Sequence, residues 1–478
     1  MATNESKILE MLNTSDATNL DPTRPHLDRA FKTLSNKLPT YNNLWEYYDG
    51  NQPLMYTAKR MADLFEDLHL ATFNENWCAV VVDSANDKIN LSNISSKDKK
   101  ANKRLQEYWE THNLALEAKD VHEAALVIGE SYIIIWPDQE TSQSEIYYND
   151  PRLVHLFYDP ANPRKKWYGA KWWVDGMNHL RMNLFFDDKL EYYRTTKPAN
   201  QVNSSKAFEP FDPNGGEAFV VENPFGKVPF FHFRPERRIV KGDLTNAIAP
   251  QNAINKLVTD MMVAAEYAAF KQRWIISNAD TSALENAPNM IWELPAGDGV
   301  GQQTQVGEFD ATPLENYIKA IDHLASSMAI ITRTPKHYLF QQGGDPSGEA
   351  LIAMESPLNK RCDDHIAQFM PVWKEAAAFM MEIENIKVDE RDIVVNYDKP
   401  ETIQPKTQAE IRTQGRKAGI PLKTLLRDEG KSEAWMEQME EDQKEEKESQ
   451  QNDMGAALME AMRAANQPGE AQNAPSED

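Results

Sequence analysis

The stretch TPKHYLFQQGGDPSGEAL, Thr334–Leu351, sets two adjacent glycines, a proline and a third glycine between two segments of helical periodicity. A Gly-rich loop that opens a helix can cradle phosphate, because the first backbone N–H groups of the helix are unpaired. The spacing here defeats a nucleotide site. G-x-x-x-x-G must be followed by Lys and Ser or Thr, whereas Gly343 to Gly348 runs into Glu349 and Ala350, setting an acid against the phosphates. The stretch therefore reads as a helix start, with Asp345 as N-cap and Pro346 at the first helical position. What the loop projects into must be decided by its flanks.

Downstream, Leu351, Met354, Leu358, Cys362, Ile366, Phe369, Trp373, Ala377 and Met380 form one stripe at spacings of three and four. The spacing predicts a helix from Ser347 to Ile383, about 55 Å long at 1.5 Å per residue, with kinks near Pro357 and Pro371. The strand-like DIVVNYD and a helical finish follow, ending in the run EQMEEDQKEEKESQQND. Upstream, Pro313 to Ile331 carries Leu314, Tyr317, Ile321, Leu324 and Met328 on one face. Before it, Lys271 to Ala311 reads as a small β excursion, with RWIISN and MIWEL as strands and PAGDGVGQQ as a loop. Ile248 to Phe270 is again helical: Ile254, Leu257, Met261 and Ala264 or Ala265 lie on one face, and Asn255, Thr259 and Glu266 on others.

The N-terminal half is mixed. His26 to Phe73 and NENWCAVVVDSANDKI read as helices, Ser92 to Lys100 as a polar loop, and ANKRLQEYWETHNL as a further amphipathic helix. At Gly129 the pattern changes to the β-branched run Ser131 to Trp136. IYYND, LVHLFYD, KWYGAKWWVD, HLRMNLFFDD and KLEYYRTT then alternate as expected of an antiparallel sheet. These aromatics also invite a base-stacking reading, but the sequence shows no basic residues interleaved on one face, so sheet packing is preferred. The fold class is α+β, mainly helical.

Composition limits function. Formal net charge is −23, and residues 433–478 carry −10 of it, which argues against gripping nucleic acid through a basic surface. Cys78 and Cys362 lie far apart in segments that read as buried, so neither a disulfide framework nor a zinc site is indicated. No apolar run is long enough to span a bilayer, and MATNESKILEMLN lacks the apolar stretch of a signal peptide, which points to a chain that is cytosolic when made. Asp363, Asp364 and His365 are metal-ligand types, but consecutive helical residues point about 100° apart. His122 and Glu123 lack the second His of a zincin, and no nucleophile elbow or dinucleotide fingerprint occurs. The sequence nominates no enzyme and no cofactor.

The order of elements resembles the portal proteins of tailed bacteriophages: α+β domain, helix, small β unit, helix, Gly-rich loop, long helix, acidic helical tail. The segments LWEYYDG, NWCAVVVDSANDKI, ALVIGESYIIIWPD, VPFFHFRP, DMMVAAEYAAFKQRW, TPKHYLF and PSGEAL carry the likeness in shared order. The resemblance implies a ring protomer with an α/β wing at residues 1–240, a first stem helix at 241–270, a β clip at 271–311 and a second stem helix at 312–333. A tunnel loop at 334–348, the wing's kinked spine helix and strand at 349–401, a helical crown at 402–450 and a disordered acidic tail at 451–478 complete it.

It further implies a ring, typically dodecameric, at one capsid vertex of the virion, through which double-stranded DNA is packaged and ejected. The implied partners are the terminase large subunit, a head–tail adaptor, and capsid and scaffolding proteins, with no membrane. Candidate channel or tunnel-loop residues are Lys336, His337, Gln341, Gln342, Gly343 and Gly344, with Lys319 and Arg333 on the second helix. Lys271, Arg273 and Trp274 are clip candidates. The alternative is a structural capsid or head-completion adaptor without a DNA channel.

Overall fold

The computed structural model describes residues 24–52, 75–138, 143–213, 215–216, 218–269, 273–276, 305–310, 313–340, 347–401, 405–429, 435–436 and 438–444. Two compact units divide the chain, Met1–Thr402 and Ile403–Asp478.

Helix α1, Pro25–Asp49, begins with proline and ends at Gly50, whose φ of 76° supplies the left-handed turn. Helices α2 (Trp77–Asn86) and α3 (Lys99–Thr111) are capped by Asn76 and Asp98, whose side chains accept from Ala79 N and Ala101 N. Helix α4, Leu114–Ile128, stops at Gly129. There φ is +104°, and a Cβ would sit 2.4 Å from the Lys241 backbone nitrogen, so only glycine fits.

Sheets follow, all antiparallel. Strands β2 (Ser131–Pro137) and β3 (Ser144–Asn149) join the later β10 (Phe230–Phe233) in the order β10-β2-β3. Strands β4 (Val154–Tyr158), β5 (Lys166–Val174), β6 (His179–Phe185), β7 (Lys189–Pro198) and β8 (Phe208–Pro210) form a second sheet in sequence order, and β9 (Val220–Glu222) also pairs with β7. The predicted strand runs are therefore present. Alternation along them sends Tyr168, Ala170, Trp172, Leu180, Met182 and Leu184 into a core covered by Leu27, Phe31, Leu34 and Leu38 of α1. Gly169 lets the Phe230 ring press onto β5, where a Cβ would stand 2.5 Å from it.

Two expectations are corrected. Ser92 to Lys100 is not a loop: β1 (Leu91–Ser96) pairs with β13 (Ile393–Tyr397), and α3 already begins at Lys99. Leu91 and Ile94 of β1 are buried, and the distant partner strand overrides a polar local composition. The cap of the long helix is Ser347, not Asp345. That helix, α8 in chain order, runs Gly348–Ile383, and the Ser347 side chain accepts from Ala350 N. Asp345 and Pro346 lie outside the described residues.

Helix α8 has 36 residues and runs through Pro357 and Pro371. Leu358, Cys362, Ile366, Phe369, Trp373, Ala377 and Met380 of the predicted stripe are buried in the largest core, with α2, α4, β10 and β13, whereas Met354 is exposed. Cys78 and Cys362 are both buried and free. At the junction of α1 with the sheets, Glu130 receives Lys37 Nζ at 2.5 Å, Tyr41 Oη at 2.7 Å and His232 Nε2 at 3.2 Å. Burial alone would raise this carboxyl, but Lys37 and His232 hold it well below the usual range.

In the second unit, α9 (Pro405–Lys417) and α10 (Leu422–Asp428) are joined by a turn with Gly419 at φ 88°. Arg412 binds Glu429 through two bonds, 2.8 and 2.6 Å long. No helix among the described residues is long and apolar enough to cross a membrane.

Candidate functional site

Two helices flank the β excursion. Helix α5 spans Ile248–Ala269 and α6 spans Glu315–Thr332. Ile254 and Val258 of α5 meet Ile321 of α6 in a small core, with Leu257, Met262, Leu324 and Trp77 packed around it. The pairing follows from the apolar stripe on each helix. Between them, β11 (Arg273–Ile276) pairs with β12 (Gln305–Glu308), setting Arg273 opposite Glu308 and Trp274 opposite Gly307. RWIISN is thus a strand over Arg273–Ile276, while MIWEL, PAGDGVGQQ and Lys271 lie outside the described residues.

The pair is tied to the rest of its unit by polar contacts that the sequence reading did not anticipate. Asn255, expected off the apolar face of the helix, is buried. With Gln251, one turn earlier, it clamps the segment before α2: Trp77 N donates to Gln251 Oε1 at 2.8 Å and Glu75 N to Asn255 Oδ1 at 3.2 Å. A second anchor forms where the helix pair meets α8. Arg361 donates to the Thr332 carbonyl at the end of α6 and, at 3.1 Å, to the Val81 carbonyl of α2. Its Nε lies 3.4 Å from Asp243, in the turn preceding α5, and His365 Nε2 reaches the same carboxylate at 3.0 Å. Burial would raise the Asp243 carboxyl, but His365 and Arg361 more than offset it and hold it low.

One side-chain cluster therefore gathers the start of α5, the end of α6, α2 and α8. A sequence signal existed: positions 361 and 365 flank Leu358, Cys362 and Ile366, on the buried side of the stripe. Asp363 and Asp364 are exposed while His365 is buried, so the three side chains diverge as helical spacing requires.

The predicted channel residues separate into two sets. Lys336 and His337 stand on a short helix, α7 (Lys336–Leu339), rather than on open loop. Leu339 is buried in the main core, and Tyr338 Oη donates to Glu355 Oε1 at 2.9 Å, which also holds Lys88 Nζ at 3.0 Å. Lys336 pairs with Asp322 at 2.7 Å and Lys319 with Glu315 at 2.8 Å. Arg333 closes α6 at φ 55° and lies 3.9 Å from Asp364. Gln341, Gln342, Gly343 and Gly344 lie outside the described residues.

Helix α6 also exposes large apolar side chains: Ile330 is 78% exposed and Ile331 53%. Ile318 is exposed on the same helix, as is Met354 near the start of α8. Among the described residues no group of three or more His, Cys, Asp or Glu side chains is placed to hold a metal ion.

The chain is 24% identical over 305 residues to the portal protein of Mycobacterium phage L5, covering 58% of each, so it spans 58% of that relative's length. It is 24% identical over 370 residues to the portal protein of Mycobacterium phage D29, covering 71% of this chain and 72% of that one. The family described as "Phage portal protein, SPP1 Gp6-like" matches residues 28–456. The chain belongs to this phage portal protein family.

Proposed function

We propose that the chain is the protomer of a closed ring, typically of twelve subunits, that sits at one capsid vertex and passes double-stranded DNA during packaging and ejection. It docks the terminase large subunit first and head–tail connector proteins afterwards. In this reading residues 1–240 are the wing, α5 and α6 the stem, the β11–β12 pair belongs to the clip, 334–348 is the tunnel loop, α8 the spine, and 402–450 the crown. The role is structural, without catalysis.

The carrying observation is the outer face of α6. Ile330 and Ile331, near its C-terminal end, remain exposed on the side away from the buried Ile321, Ala325, Met328 and Ala329. An apolar face left open on a helix that is already packed supports contact with another copy. The charges suit a conduit. Lys336 and Lys319 are each matched by an acid within the subunit, and a chain of net charge −23 presents weak attraction to phosphates that must slide.

The test is native mass together with negative-stain images of the full chain. Rings of about a dozen subunits around a hole wide enough for a duplex of about 20 Å are expected. A stable dimer with no ring under any condition would overturn the reading.

A further inference from the structure

The face of the larger sheet opposite α1 is not fully covered, and its side chains fall in two rows fixed by register. Lys171 stands opposite Asn183, which stands opposite Tyr192; Trp173 stands opposite Arg181, which stands opposite Arg194. Trp136 and Tyr147 of the smaller sheet close one side. The result is a pocket of about 590 Å³, open to solvent along one edge. Most aromatics of these strands are core, as expected, but here cations and aromatics do alternate on one face, which the one-dimensional pattern concealed.

Lys171 and Arg181 line this pocket, and no acid is among its lining residues. Lys171 Nζ donates to Asn149 Oδ1 at 2.8 Å and lies over the Tyr147 ring at 5.2 Å, and no described carboxylate pairs with it. Burial pushes its ammonium down from the ordinary value, with no acid to offset the loss of solvent. Arg181 lies 4.2 Å from the Phe211 ring and shares Asp175 with Arg194, at 3.9 and 2.9 Å. Asp212 stands on the Tyr192 side, where its carboxylate accepts from Ala218 N at 3.3 Å. Two cations, Lys171 and Arg181, line the pocket and no carboxylate does; Asp175, shared by Arg181 and Arg194, and Asp212 lie nearby.

A partly desolvated cation without a counter-ion is costly unless an anion completes the site. The aromatic walls add a place for an apolar or planar body beside that anion. We propose that this pocket is a docking site for an acidic segment of a partner protein, with an Asp or Glu side chain meeting Lys171 and Arg181 and a neighbouring apolar side chain lying against Trp136 and Trp173.

Charge complementarity carries the choice of occupant. An open pocket receives a few side chains of a segment rather than enclosing a metabolite. Nucleic acid is disfavoured because only two cations, Lys171 and Arg181, line the pocket, too few to hold a run of phosphates. That the occupant is a protein segment rests on reading the chain as a subunit of a virion assembly; the charge and shape of the pocket do not.

The test is saturation-transfer NMR on the full-length protein with acetyl-Glu-Phe-Glu-amide as probe. The Phe ring protons should receive saturation. The acetyl-Gln-Phe-Gln-amide analogue and the K171M and R181M variants should each weaken binding about tenfold, as expected for one charge-assisted contact. K171R should retain binding. W136A, at the rim, should weaken it by itself and guards against misfolding of the floor variants. Equal binding of the neutral analogue, no effect of K171M, displacement by inorganic phosphate at equal concentration, or tighter binding of tetrathymidylate would each overturn the proposal. Native mass of the same samples reports ring assembly separately, so loss of rings with peptide binding intact would count against the portal reading and not against the pocket.

Discussion

Nε2 of His365, within α8, lies 3.0 Å from Oδ2 of Asp243, 122 positions earlier in the turn that launches α5. Arg361, one turn before His365, completes the set by holding the carbonyls of Thr332 and Val81. The helix pair is therefore not hinged freely at its base: both of its near ends are fastened to α8 by buried charge.

Replacing Arg361 by Met keeps the aliphatic volume but leaves two carbonyls without their donor and takes the guanidinium away from Asp243. The expected cost is about 3–5 kcal/mol, read as a fall in the urea midpoint. Asp363→Asn, exposed two residues on, should change stability by no more than about 0.5 kcal/mol. Similar midpoints for the two variants would show that the buried cluster is not an anchor.

How much of this could be read from sequence depended on whether the signal was local. The run KWYGAKWWVD alternates by itself, and β5 lies there; Gly129 marks the change from helix to strand because its backbone conformation demands glycine. LSNISS carries no comparable signal, since β1 exists through a ladder with Ile393–Tyr397 some three hundred positions away. The cap moved from Asp345 to Ser347 because both are good caps and only tertiary placement chooses between them. Arg361 and His365 were visible as neighbours of the Cys362 stripe, but their common partner Asp243 was not. The pairing of Lys171 with Asn183 and Tyr192 needed the register of three strands, which no single run encodes.

Acid should weaken the fold well above the carboxylate range. His122 is wholly buried; it accepts from Trp373 Nε1 at 3.1 Å on Nε2 and stacks on Phe369, and burial lowers its pKa to about 3. Burial and Lys37 lower His155 likewise to about 3. Both are neutral when folded, whereas in the unfolded chain they take protons near the ordinary histidine value of 6.5. Their contribution is thus present above pH 6.5 and lost as pH falls towards 3, at about 1.4 kcal/mol per pH unit for each proton. Equilibrium unfolding between pH 4.5 and 6 should show this slope. His122→Gln, which keeps an acceptor for Trp373, should remove about one proton from it; an unchanged slope would mean that His122 does not titrate on unfolding.

Tyr338 fastens α7 to α8 through Glu355, which also holds Lys88. Tyr338→Phe removes one hydrogen bond to a carboxylate, at a cost of about 1 kcal/mol. The Phe340 amide, bonded to the Lys336 carbonyl at 2.9 Å, should then exchange with deuterium about fivefold faster, while amides in the middle of α8 stay unchanged. Unaltered exchange at Phe340 would mean that this bond does not hold α7, leaving the burial of Leu339 and the Lys336–Asp322 pair to do so.

Ile330 and Ile331 offer the sharpest separation of folding from assembly. Both are exposed in the isolated chain, so Ile330→Asp combined with Ile331→Asp leaves the packed face of Ala325, Met328 and Ala329 untouched. Stability of the subunit, followed by circular dichroism and its urea midpoint, should move by less than about 1 kcal/mol. In the ring proposed above the same side chains would lie against the neighbouring copy, where burying each is worth about 1.5–3 kcal/mol, and two carboxylates there would reverse the sign of the contact. Native mass should therefore collapse from a ring to monomers. Lys319→Ala, which breaks only a surface pair with Glu315, should leave the mass unchanged. Intact rings from the double aspartate variant would mean that the outer face of α6 looks onto solvent or the channel, and the subunit contact would have to be sought on α5.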